Sequence, residues 1–281
     1  MSVLWVQSKN RAGALVDPFQ SHLSALDHGV TVGDGVFESI KTVSGKPFAL
    51  TPHLERMAMS AALMKLKLPP IEEVRTAIAN VCALAEVQNA PVGRMRVTCT
   101  SGVGALGSDR SDDWTLIVAW SPAPAWPETA RLEIVSVPRN ERSPLAGAKT
   151  TSYADNVLAI VEAKAAGADE ALLLNLAGFV CEGASSNVFI VKDQRVSTPS
   201  LQSGCLAGVT RSIVLKQNPD IVERQISVDE LLEADEVFIT SSTRDLQPVA
   251  RVGVAQYSAP GDFTKKAMAI FSDRAKEHFD E

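Results

Sequence analysis

The chain of 281 residues is long enough to bury a sizeable core as one large domain or two ordinary ones, and its 46% hydrophobic and 21% charged residues mark a folded protein. A net charge of −6 without any block of Lys or Arg excludes nucleic acid and anionic membrane as partners, since both demand a concentrated basic footprint. No apolar stretch approaches the roughly 20 residues of a membrane-spanning helix, and residues 1–11 lack the apolar segment of a secretory signal, so the expected location is the cytoplasm.

Two short strand-like pieces open the chain. Strands are then predicted at residues 37–43 and 47–50, joined by the turn Ser44-Gly45-Lys46. Thr51-Pro52 reads as a helix start, an N-cap candidate followed by proline at the first helical position. Leu54, Met57, Ala61 and Met64 recur behind it at helical spacing, with Arg56 in the first turns. After Pro69-Pro70 a helix is predicted over 71–86, then strands at 93–100 and 114–120 around a glycine- and serine-containing loop, 101–113. Three prolines between Ser121 and Pro127 predict an extended linker. The expected division is therefore an N-terminal domain at 1–120, a linker at 121–129 and a C-terminal domain at 130–281.

Beyond the linker come a strand at 131–137, a helix at 153–166 and strands at 170–174 and 188–192. Helices at 208–216 and 228–234, a strand at 236–240 and a terminal helix from Asp262 complete the pattern. Both halves mix strands and helices, which sets the class as α/β (α+β). Cys82, Cys99, Cys181 and Cys205 are scattered, as are His22, His28, His53 and His278. That spacing predicts buried reduced thiols, a structural His53 and no metal site.

The candidate chemistry lies in the second half. Lys149, in Gly147-Ala148-Lys149-Thr150-Thr151, sits among small uncharged neighbours, where desolvation disfavours the ammonium and suits a lysine that forms Schiff bases. Glu182 reads as the acid of a polar turn before an apolar strand; burying it there requires a cationic partner. Leu206-Ala207-Gly208-Val209-Thr210-Arg211 reads as a glycine turn entering a helix whose first amides and Thr210 hydroxyl face an anion. Arg56 and the hydroxyl run Thr240-Ser241-Ser242-Thr243 can serve the same anion, although such a run can equally cap a turn.

Taken together, the segments 27–38, His53-Leu54-Glu55-Arg56, Lys149-Thr150-Thr151, Glu182-Gly183-Ala184-Ser185-Ser186-Asn187 and Gly208-Val209-Thr210-Arg211 resemble the fold-type IV enzymes that use pyridoxal 5'-phosphate, also called class IV aminotransferases. The resemblance runs over nearly the whole chain. It implies a two-domain fold, with a smaller N-terminal α/β domain and a larger barrel-like C-terminal α/β domain that binds the cofactor. It also implies a homodimer acting on a small-molecule substrate. The implied roles are a Schiff base and proton transfer for Lys149, the ring nitrogen for Glu182, and the cofactor phosphate for Arg56, Val209, Thr210, Ser241 and Ser242.

Three activities of that family compete: aminodeoxychorismate lyase, D-amino-acid aminotransferase and branched-chain aminotransferase. The loop 101–108 resembles the glycine-rich segment of the lyases and lacks the Arg-x-His trap of the D-amino-acid enzymes, which makes the lyase, yielding 4-aminobenzoate and pyruvate, the leading expectation. Val36-Phe37-Glu38-Ser39 instead resembles the transaminases, the alternative expectation. A cofactor-binding protein with a degenerate pocket is a third, disfavoured by the intact Lys149 and Glu182. Arg96, Arg139, Arg142 and Arg244 are candidates for substrate carboxylates without assigned roles.

Overall fold

A computed structural model describes residues 2–277 and 280. His278 therefore lies outside the described residues. The chain forms two compact units, the first built from residues up to Pro124 together with Ala148–Tyr153, the second from Ala125–Gly147 and Ala154–Glu277.

The first unit contains β1 (Val3–Ser8), β2 (Arg11–Val16), α1 (His28–Thr31), β3 (Gly35–Val43), β4 (Lys46–Pro47), α2 (Leu50–Leu63), α3 (Ile71–Cys82), α4 (Ala85–Gln88), β5 (Val92–Thr100) and β6 (Thr115–Pro122). Its strands form one antiparallel sheet in the order β2-β1-β6-β5-β3-β4. Strict alternation sorts β5: Gly93, Met95, Val97 and Cys99 turn inward while Arg94 and Arg96 turn out. The inward side joins Val36, Ile40, Leu54, Met57, Ile78, Leu116 and Trp120 in one core. By the same alternation Glu38 shares the face of Val36 and Ile40, so a carboxylate enters that core.

Helix α2 begins one residue before Thr51, after Ala49 in the left-handed region, and Thr51 makes no cap. Pro52 falls in the first turn, where a missing N–H costs nothing because that donor has no helical partner. The buried stripe of α2 carries His53, Arg56 and Ser60 beside Leu54, Met57 and Ala61. Three polar groups at helical spacing on a buried face require partners. The helix expected over 71–86 is broken at Leu84, whose extended backbone separates α3 from α4. The strand expected at 47–50 is reduced to Lys46–Pro47, with Leu50 already in α2.

The second unit contains β7 (Ala130–Ile134), α5 (Ala154–Ala165), β8 (Glu170–Leu174), β9 (Val180–Gly183), β10 (Asn187–Lys192), β11 (Arg195–Pro199), α6 (Val209–Gln217), β12 (Val222–Arg224), α7 (Val228–Leu232), β13 (Glu236–Ser241), β14 (Asp245–Val252), β15 (Ala255–Gln256) and α8 (Asp262–Glu277). They build a mixed sheet ordered β12-β11-β10-β13-β14-β7-β8-β9, with β15 on β14. Leu132, Leu172, Val188, Ile190, Val237, Ile239 and Val249 fill one core, and Ala159 and Ala163 of α5 pack with Ala171, Leu173 and Val135 in another. Short alanines let the helix approach closely. Glu182 lies on β9 and not in a turn; the turn is the segment 184–186 that leads into β10.

Candidate active site

In the first unit the Lys149 backbone is stitched to the start of β3. Its carbonyl accepts from the Phe37 amide at 3.0 Å, its amide donates to Ser60 Oγ at 3.0 Å, and Thr150 bridges Val36. Gly35 allows this approach, because a Cβ there would stand 2.8 Å from the Cys99 carbonyl and 3.0 Å from Thr151 Oγ1. Lys149 Nζ lies 4.5 Å from the centroid of the Phe37 ring and 5.6 Å from that of Tyr153, and the two rings meet edge to face at 5.2 Å. The Arg96 guanidinium stacks 3.6 Å from the Phe37 centroid. A lysine amine, two aromatic walls and a cation thus share one cluster.

Beneath it, Arg56 grips Glu38 with a two-point contact, Nε to Oε1 at 2.9 Å and Nη2 to Oε2 at 2.6 Å, while His53 Nδ1 meets Oε2 at 2.6 Å. Burial pushes the Glu38 carboxyl up, but the Arg56 charge and the hydrogen bonds from Arg56 and His53 outweigh it and hold it at about 2. Burial lowers the His53 pKa against the opposing pull of Glu38, which favours a neutral imidazole. The planar fork of Arg56 is therefore fixed by a permanent carboxylate. His53 thus has a structural contact, and it stands in the first turns of α2, not ahead of the helix. The role of Glu38 is not legible from motifs, yet a charged residue at a core-facing strand position is itself a signal that cationic partners lie opposite.

In the second unit Glu182 is buried, with both oxygens held. Oε2 accepts the Leu206 amide at 2.9 Å and Oε1 lies 3.1 Å from Arg139 Nε. The cation that a buried carboxylate requires is thus supplied in part by Arg139. The Leu206 carbonyl accepts from Asn187 Nδ2 at 2.9 Å, so the residues flanking the 184–186 turn hold both polar groups of Leu206. Three residues on, α6 starts at Val209 with Gly208 as N-cap and no side-chain cap. Gly208 is required there, since a Cβ would fall 2.0 Å from Asn187 Oδ1. The first amides of α6, next to the buried Thr210, have no side-chain cap, an arrangement that could hold an anion.

Ser241 ends β13 and its hydroxyl accepts from the Arg244 amide at 3.3 Å, leaving its own proton to donate. Nearby in sequence, Thr240 Oγ1 is buried with no hydrogen-bond partner among the described residues, as is Ser186 Oγ, while Arg139 Nε meets Glu182 as an ion pair without hydrogen-bond geometry. Ser242 is half-buried in the same turn. Of the four arginines left without roles, Arg139 meets Glu182, Arg244 meets Glu170 at 3.3 Å, Arg96 lies on Phe37, and Arg142 is exposed.

The glycines of the 101–113 loop have local reasons. Gly102 has φ +71° and faces Asp113, and a Cβ on Gly104 would stand 2.3 Å from His28 Nε2. The loop is fastened by His28 Nε2 to the Ala105 carbonyl at 3.0 Å and by Arg110 to Asp34 at 2.6 and 2.5 Å. Packing explains two of its three glycines without reference to a substrate.

A sequence model of the amino-transferase class IV family matches residues 35–252. The chain is 34% identical over 272 residues to the "Putative branched-chain-amino-acid aminotransferase" of Methanocaldococcus jannaschii, covering 93% of this chain and 94% of that one. Its fold superposes on the branched-chain aminotransferase of Thermoproteus uzoniensis, solved with norvaline, with a TM-score of 0.83 and 28% identity, over 96% of this chain and 94% of the other. For 4-amino-4-deoxychorismate lyase from Pseudomonas aeruginosa the values are 0.81 and 27%, over 98% and 100%. By sequence over most of its length and by fold, this chain belongs to the amino-transferase class IV family, the fold-type IV enzymes that depend on pyridoxal phosphate.

Proposed function

We propose that this protein is an aminotransferase that exchanges an amino group between a branched-chain amino acid and a 2-oxo dicarboxylate. The observation that carries the reading is the cluster of Lys149, Phe37, Tyr153 and Arg96. The aromatic walls beside the amine suit an aliphatic side chain, and the guanidinium suits a carboxylate. The match to branched-chain aminotransferases over nearly the whole chain supports it. The lyase expectation is weaker. Its glycine-rich loop is accounted for by His28 and Asp113, and the Phe37-Glu38 resemblance sides with the transaminases.

The residues fit pyridoxal phosphate. Orphaned Thr240 Oγ1, the uncapped α6 N-terminus and the donor Ser241 suit a phosphate, and the fixed Glu182 suits a protonated ring nitrogen. We assign the phosphate to Arg56, Val209, Thr210, Ser241 and Ser242, the ring nitrogen to Glu182, and the covalent bond to Lys149. When bound, the cofactor supplies the electron sink that makes the substrate α-hydrogen acidic. Lys149 Nζ would take that proton from the substrate α-carbon and return it two bonds away, beyond the transferred nitrogen, while Arg139 and the Leu206 amide hold the Glu182 carboxylate in place. Phe37 and Tyr153 wall the amine on two sides.

The exposed apolar stripe of α5, with Val157, Leu158 and Val161 at 60%, 58% and 59%, supports a homodimer. The test of function is an assay of L-leucine, L-valine and D-alanine with 2-oxoglutarate, run beside aminodeoxychorismate alone. Amine exchange with the branched-chain substrates is expected. Release of 4-aminobenzoate without an acceptor would restore the lyase reading, and exchange with D-alanine alone would favour the D-amino-acid enzymes.

A further inference from the structure

Glu170 opens β8 with no exposure at all, and three groups converge on it. Its Oε2 accepts from Ser185 Oγ at 2.5 Å and from Arg244 Nη2 at 3.3 Å, and its Oε1 accepts from the Ala171 amide at 3.2 Å. Ser185 belongs to the turn that follows Glu182. A Cβ on Gly183, the last residue of β9 before that turn, would come within 3.3 Å of Glu170 Cγ, so a side chain there would press on the glutamate. Arg244 belongs to the other turn, the one that presents Ser241 and Ser242, and its amide closes that turn on the Ser241 carbonyl at 3.2 Å. Its guanidinium is fixed on further sides by Gln247 Oε1 at 2.6 Å and by the Trp126 ring at 3.7 Å.

A buried ion pair is poor evidence for stability, because apolar residues of similar size often serve as well. This pair, however, joins two turns to which the reading above gives separate tasks. We propose that Glu170 is a positioning residue that sets both cofactor turns of the second unit: through Ser185 it fixes the backbone carrying Glu182, and through Arg244 it fixes the hydroxyls of Ser241 and Ser242. The inference rests on the pyridoxal phosphate reading, and its two arms have different signatures. Loosening the Ser185 arm disturbs the carboxylate at the ring nitrogen and so changes the colour of the bound cofactor. Loosening the Arg244 arm disturbs phosphate contacts and so changes affinity.

The experiment titrates wild type, Glu170→Gln, Ser185→Ala and Arg244→Lys with pyridoxal phosphate and with pyridoxal, recording dissociation constants and visible spectra, with thermal melting as the folding control. Ser185→Ala is expected to shift the visible band or its pH dependence with little change in affinity. Arg244→Lys is expected to weaken pyridoxal phosphate roughly tenfold, the loss of about one charge-assisted hydrogen bond, while leaving pyridoxal unaffected. Glu170→Gln should do both. If the wild type binds neither ligand, the functional reading falls and this inference with it. If the wild type binds while folded Ser185→Ala and Arg244→Lys variants match it in band and affinity, the positioning role alone is overturned, whether or not Glu170→Gln folds.

Discussion

Glu38 with Arg56 in the first unit and Glu170 with Arg244 in the second bury the same two residue types, yet their carboxylates are driven in opposite directions. Glu38 receives two guanidinium bonds at 2.9 and 2.6 Å with His53 at 2.6 Å, and is held at about 2. Glu170 receives its arginine at 3.3 Å and a hydroxyl; there burial, the largest influence, prevails and pushes the carboxyl up. The guanidinium of Arg244 divides its donors between Glu170 and Gln247, whereas Arg56 commits two to Glu38. Composition alone does not set the electrostatics of a buried pair; the number and directness of the hydrogen bonds decide.

The comparison is broken most directly by truncating each arginine. Arg56→Ala removes the charge and the two hydrogen bonds that hold the Glu38 carboxyl at about 2, and urea unfolding should show a loss of roughly 3–5 kcal/mol. Arg244→Ala should cost less, because it removes a single 3.3 Å contact from a carboxyl that burial already pushes towards its neutral form. Equal losses, or a larger one for Arg244→Ala, would refute the distinction.

Acid titration sharpens it. The Glu38 pKa is depressed, so its contribution is complete above the unfolded value of 4.5 and disappears as pH falls towards about 2, a change of about 3 kcal/mol across that window. His53 acts in the same sense: its pKa is lowered, so acidification below 6.5 favours the unfolded chain. Glu170 acts oppositely, its raised pKa contributing fully below 4.5 and losing that contribution as pH rises through the folded value. Glu38→Gln should flatten the acid limb of stability against pH, and Glu170→Gln should leave that limb in place. An acid limb unchanged in Glu38→Gln would show that other groups govern it.

The smallest effect concerns the 101–113 loop. Arg110, one-third exposed, pairs with Asp34 and reaches the Met64 and Lys65 carbonyls. Arg110→Ala should cost only about 1 kcal/mol or less in thermal or urea unfolding. A loss like that of Arg56→Ala would mean the loop belongs to the core machinery.

Much of this was legible in the sequence where a residue's task is local. The strand at 170–174 and helix α6 entered through Gly208 follow from periodicity and turn chemistry, and the expected burial holds for Cys99, Cys181 and Cys205 while Cys82 is half-buried. Ser227 and Glu230 form a capping box in the same local manner. What stayed hidden depends on pairing between distant segments. Arg139 meets Glu182 across 43 positions, Glu38 meets Arg56 across 18, and Arg244 meets Glu170 across 74, and no spacing rule links them. The strands at 195–199 and 245–252 are hidden for the same reason: Pro248 interrupts one pattern and Pro199 ends the other, and pairing with sheet neighbours makes both strands. The glycine loop shows the converse: Gly102 and Gly104 answer to Asp113 and His28, so their presence alone does not single out a substrate.

The central claim is that the first unit supplies the covalent and proton-transferring amine through Lys149. Borohydride reduction of the protein loaded with pyridoxal phosphate, followed by digestion and mass spectrometry, tests it in one step. The account predicts a single reduced adduct on Lys149, lost in Lys149→Ala, while an adduct on another lysine, or none in a protein that still transfers amino groups, would contradict it.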